Sequence, residues 1–149
     1  MVLDASHKAQ LLKACFLLAW FRVVTFVIPF KHLTAGLRHH TCAVPPATVR
    51  PRQLEEAQHI GKLIATAAGV LPWQSRCLVQ VLVVQRWLAA RGVPGQFYLG
   101  VRKGNEDGIA LPKLAAHAWL ECGGVIVNGA AGHEQFTIVS TYGWGGAEG

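Results

Sequence analysis

Cys77, in PWQSRCLVQVLVVQRWLAARG, opens a long apolar stretch that closes on Gly92 and Pro94. A cysteine at a helix start meets the unpaired backbone N–H groups of the first turn and the positive end of the helix dipole, and both favour the thiolate. Such a sulfur is a nucleophile set beside donors able to hold an oxyanion, and Ser75 stands where an N-cap is expected. His117, in AAHAWLEC, supplies the second half of a thiol chemistry. Imidazole can take the thiol proton and hand it to a leaving amine near neutral pH. A third group would orient the ring and stabilise its cation. Asn128, on the return strand of a hairpin, offers an amide for this role and is slightly favoured; Glu134, in GHEQF, offers a charge and is the alternative. Taken singly, each residue has an ordinary structural account: a small packed cysteine, a histidine satisfied in a strand, two turn residues.

Other groupings carry less. His39, His40 and Cys42 offer metal-binding atoms, but a structural zinc needs four ligands and no second pair lies nearby in sequence, so no metal is expected. GVRKGNEDG, from Gly100 to Gly108, lacks the spacing of a phosphate loop and reads as a solvated turn. Cys15 and Cys122 are expected to be packing residues. The four cysteines form no C-x-x-C pair and follow no cleavable signal, which points to free thiols in a reducing cytoplasm. The net charge of +6 is spread along the chain without interleaved aromatics, so nucleic acid is not an expected partner.

These side chains need elements to hold them. Lys8 to Phe30 reads as a helix, and Arg22 near its middle favours a buried or partner-facing helix over a membrane span. Gly36 to Arg52, with three prolines, reads as an irregular connector. Glu55 to Gly69 carries Ala57, Ile60, Leu63, Ile64 and Ala67 on one helical face. Cys77 to Arg91 is apolar almost all round and predicts a central helix. Strands follow at Gln96 to Val101, His117 to Cys122, Val125 to Asn128 and Phe136 to Tyr142, the middle two joined through Gly123 and Gly124. The tail GWGGAEG reads as frayed. At 149 residues, 52% of them hydrophobic, the chain predicts one α+β domain, with a helical segment and connector over 1–52 and a core over 53–149.

Together PWQSRCLVQVLVVQRWLAARGVPGQFYLGVRK, AAHAWLE and VNGAAGHEQFTIVSTYG resemble the leader peptidases of lasso-peptide biosynthesis, a transglutaminase-like (papain-like) cysteine peptidase family. The apolar opening that ends in PFKHL is similar as well, so the resemblance covers nearly the whole chain. It implies N-terminal helices followed by an antiparallel sheet, Cys77 as nucleophile, His117 as general base, and the Cys77 backbone N–H as an oxyanion donor with Gln74 as a second. An aspartate usually completes the family's triad; here the matching stretch reads VNG, which leaves Asn128 or Glu134 as a substitute. The chain resembles the stand-alone form without a leader-recognition domain. That form implies a precursor-peptide substrate, a separate leader-recognition protein and an ATP-dependent macrolactam cyclase, with no cofactor on the peptidase itself. Two other readings are a non-catalytic scaffold of the same fold, binding leader or cyclase, and a membrane-anchored protein.

Overall fold

The computed structural model describes residues 5–41, 48–70, 77–103 and 114–145. Helices α1 (Ala5–Val27), α2 (Phe30–Leu33), α3 (Pro51–Val70) and α4 (Cys77–Ala90) precede most of the sheet, whose strands are β1 (Arg38–His40), β2 (Gly95–Lys103), β3 (Leu114–Cys122), β4 (Val125–Asn128) and β5 (Thr137–Trp144). The sheet is antiparallel in the order β1-β5-β2-β3-β4. This is the α+β arrangement that the apolar periodicities predict.

Local chemistry fixes the helix ends. Pro51 takes the first position of α3, where its missing N–H costs nothing, and Gln53 accepts from the Arg50 N–H at 2.9 Å. At the far end of α4, Val93 N–H reaches Leu88 O at 2.9 Å and Gly92 N–H reaches Ala89 O at 3.1 Å, with Gly92 at φ 72°. That pair of bonds is the glycine-terminated Schellman cap.

α4 is the hinge of the core. Val79, Val81, Leu82, Val83, Val84 and Leu88 are all buried, and they meet Ala118, Leu120, Cys122 and Phe97 from one face of the sheet. α1 and α3 pack on α4 and on each other through Ala14, Leu18, Phe21, Ala57, Ile60, Leu63, Ile64 and Ala67. An apolar circumference is what a helix needs when a sheet covers one side and helices the other. Among the described residues, no helix is long and apolar enough to cross a membrane.

Two expectations are corrected here. The stretch from Gly36 is not wholly irregular, because Arg38, His39 and His40 pair with Gly143, Tyr142 and Thr141 as an edge strand. The chain does not fray at Gly143, because β5 runs through Trp144, which is buried and donates from Nε1 to Val93 O at 2.8 Å.

The sheet's other face carries a buried polar group. Tyr98 donates to Glu121 Oε1 at 2.9 Å, Gln96 donates to the same oxygen at 3.2 Å, and Gln96 also donates to the Tyr98 hydroxyl. Burial, followed by the Glu121 hydrogen bond and charge, pushes the Tyr98 phenol from 10.0 up to about 12. Burial and then the Glu121 charge push the Cys122 thiol from 9.0 up to about 12. In the unfolded chain both groups lose their protons first, so over that interval the unfolded state binds fewer protons and stability must fall as pH rises. Urea midpoints are expected to hold up to about pH 9 and to decline toward pH 12. Tyr98→Phe should flatten that decline; an equally steep curve would remove Tyr98 from it.

Candidate active site

Cys77 is the first residue of α4, half-buried, with its thiol free and packed against the edge of the core. Its position gives it the open N–H groups of a helix's first turn. Gln74 and Ser75, expected as oxyanion donor and N-cap, lie outside the described residues.

His117 sits on β3 between two alanines. Ala118 is buried toward the helices, and strand alternation turns His117 to the opposite face with Trp119. There the ring stacks on Trp119 at 5.8 Å and lies 5.2 Å from Phe136. The residue across from it is Gly100, and the glycine is required: a Cβ there would come within 2.8 Å of Phe136 and 2.9 Å of Trp119. The aromatic wall around the imidazole therefore depends on a missing side chain on β2.

The ring's polar partner is the Gly129 carbonyl, 2.7 Å from Nε2. A carbonyl oxygen only accepts, so Nε2 carries the proton and Nδ1 holds the lone pair of the neutral ring. Nδ1 is thus the basic atom. Gly129 has φ 83°, and a Cβ on it would lie 2.6 Å from Ala118 O and 3.0 Å from Trp119 Cα. At Gly129 the backbone therefore lies against β3 without room for a side chain.

Asn128, expected from the sequence to orient the imidazole, is buried and turns toward the helices. Its amide donates to Gly61 O of α3 at 3.3 Å and to Gln80 Oε1 of α4 at 3.5 Å. Gln80 lies one turn beyond Cys77. The dipeptide Asn128–Gly129 therefore ties the start of α4 to the His117 ring: one residue holds the helices, the next holds the imidazole. Among the described residues no hydrogen bond joins Cys77 directly to His117. Glu134, the alternative, lies in a 3-10 turn (His133–Gln135), exposed, with its carboxylate 3.3 Å from His133 Nδ1. The residue beside His117 that the sequence reading missed is Gly129. Its only signal was a glycine after asparagine at a strand end, which marks a left-handed backbone.

His39 is engaged on β1, with Nε2 3.3 Å from Ser140 Oγ and the ring stacked on Tyr142, while Cys42 lies outside the described residues. Among the described residues no three His, Cys, Asp or Glu side chains cluster to hold a metal ion.

No curated protein and no solved structure matches the chain significantly. A family model does: residues 22–141 match the transglutaminase-like superfamily, and that span includes α3, α4, Cys77, His117 and the Asn128–Gly129 dipeptide. With four-fifths of its length in that match, the chain belongs to the transglutaminase-like superfamily.

Proposed function

We propose that the protein is a cysteine endopeptidase that removes the leader from a ribosomally made lasso-peptide precursor, in the cytoplasm, before a partner cyclase closes the macrolactam. The observation that supports the reading is the shared anchor: Asn128 bonds to Gln80, one turn beyond Cys77 on α4, and the adjoining Gly129 carbonyl holds His117 on β3, in a superfamily whose fold suits thiol chemistry. In this mechanism His117 Nδ1 takes the thiol proton and the Cys77 sulfur attacks the scissile carbonyl. The oxyanion is held by N–H groups at the start of α4, with Gln74 as a further donor. Collapse expels the core-peptide amine, which takes the proton back from His117. Water, activated by the same ring, then releases the leader as a carboxylic acid. The partners are a separate leader-recognition protein and an ATP-dependent cyclase, which captures the freed amine.

Mass spectrometry of precursor incubated with the chain and the recognition protein tests this: separate leader and core masses are expected. An intact precursor under those conditions would overturn the peptidase reading.

A second reading is favoured by one observation, the carbonyl in place of a carboxylate at His117. A dipole stabilises an imidazolium less than a charge does, which suits a non-catalytic scaffold. Slow alkylation of Cys77 at neutral pH, unchanged by His117→Ala, would select the scaffold; fast alkylation that slows in His117→Ala would select the enzyme.

Asn128 acts in the enzyme as a positioning residue, through Gly129. Asn128→Ala is expected to lower kcat on the order of 10- to 100-fold with KM little changed, since small displacements of a catalytic base are costly. Glu134→Ala, at an exposed turn, is expected to stay within about 2-fold. If Glu134→Ala proves the more damaging change in folded protein, the carboxylate has the role.

A further inference from the structure

Along α1, Leu12, Phe16, Trp20, Val23 and Val27 are 71%, 68%, 57%, 57% and 75% exposed. On a 3.6-residue helix their positions fall within an arc of about 80° and form a row about 22 Å long. The opposite side of α1, through Ala14, Leu18 and Phe21, is buried against α3 and α4. Scattered apolar residues are normal on a protein surface, but five large ones in single file are not. α1 contains no acidic residue from Ala5 to Val27. Lys8 and Lys13 lie on either side of the row, and the Lys13 ammonium is held 4.4 Å from the Trp87 ring centroid.

We propose that this row is a docking seam for an acidic amphipathic helix of a partner protein. From Phe16 the steps of four, three and four to Trp20, Val23 and Val27 are those of d and a positions, the seam that one helix offers another, with Leu12 extending the row at a flanking position. A helix lying in a lipid interface instead offers a broad apolar face. Among the described side chains α1 has no such breadth, because the others are small, packed on the fold, polar or cationic. Charge then selects among helices. A second copy brings lysines and no acid in either orientation, so like charges meet. Glutamates flanking an apolar seam would pair with Lys8 and Lys13 and steer the approach. The surface does not depend on the chemistry at Cys77, so either reading can fail without the other.

Calorimetric titration of the whole protein with a synthetic acidic peptide of roughly three heptads, Leu at a and d and Glu at e and g, tests the proposal. Saturable binding that weakens with salt is expected. A double change, Phe16→Gln with Val23→Gln, should weaken it at least about tenfold, equivalent to about 1.4 kcal/mol. Both residues are exposed, so the circular dichroism spectrum should not change. Should the double variant fail to fold, Lys8→Glu, which leaves the row intact, is expected to weaken binding as well. Absence of binding, equal binding of a peptide with Lys at e and g, or indifference to these changes would overturn the proposal. So would row-dependent sedimentation with phosphatidylglycerol vesicles in the absence of peptide binding. A row-dependent dimer in ultracentrifugation would make the second copy the occupant and overturn it equally.

Discussion

Cys77→Ala is expected to abolish precursor cleavage, by at least on the order of 10⁴-fold, while leaving the fold nearly intact. In the proposed mechanism the sulfur supplies the bond-forming electron pair, and no other described thiol stands at a helix start to replace it. Cys122 is buried on β3 with its thiol held protonated, and Cys15 lies in α1. Losing one half-buried sulfur at the edge of the core costs about 1 kcal/mol or less, so a urea melt should barely move. Mass spectrometry with precursor and recognition protein provides the readout. Cleavage by a pure, folded Cys77→Ala protein would remove the residue from the mechanism.

The largest effect on stability is expected from Gly61→Ala. In most helix interiors this substitution gains about 1 kcal/mol through backbone propensity. Here a Cβ would lie 2.0 Å from Val127 O and 2.8 Å from Val127 C. Both are backbone atoms of β4, so no side-chain rotation relieves the overlap. Either α3 lifts from the sheet or β4 leaves β3. The net loss is expected to be about 2 kcal/mol or more. Gly69 in the same helix is the control, since nothing lies within 4 Å of its Cβ position. Gly69→Ala should be neutral or stabilising in the same urea titration. Equal midpoints for the two variants would show that α3 does not sit on β4 as described. Because Gly61 O also receives the Asn128 amide, Gly61→Ala should also reduce turnover.

Much of the scaffold was legible because it obeys local rules. Ala57, Ile60, Leu63, Ile64 and Ala67 share a face by spacing alone, and all five are buried. Gly123 and Gly124, at φ 57° and 85°, make the turn that their pairing suggests. β1 was not legible, since Arg-His-His has neither alternation nor apolar content and becomes a strand only by pairing with β5. The same boundary runs through the site. Cys77 and His117 stand out by residue type and position. The acceptor that orients His117 is a backbone carbonyl, which leaves no letter in the sequence, and Asn128 bonds to a backbone oxygen on a helix distant in the chain.

β4 pairs Glu121 with Ile126 but Leu120 with Asn128, so Val127 is an extra residue in the strand. That single insertion works as a phase shifter. If Val127 instead paired regularly with Leu120, Asn128 would stand opposite Trp119, and its amide would face away from Gly61 and Gln80. Added length in this segment is therefore constrained more tightly than the choice of branched residue at Val125 or Ile126. Exchanging Val125 or Ile126 for another branched residue preserves parity, and losing the bulged residue would leave Asn128 opposite Leu120 in regular register, whereas one further residue would move it opposite Trp119. A family alignment over β4 should accordingly show exchange among branched residues at Val125 and Ile126 and no insertion before Asn128, with added length pushed out to the Gly123–Gly124 turn.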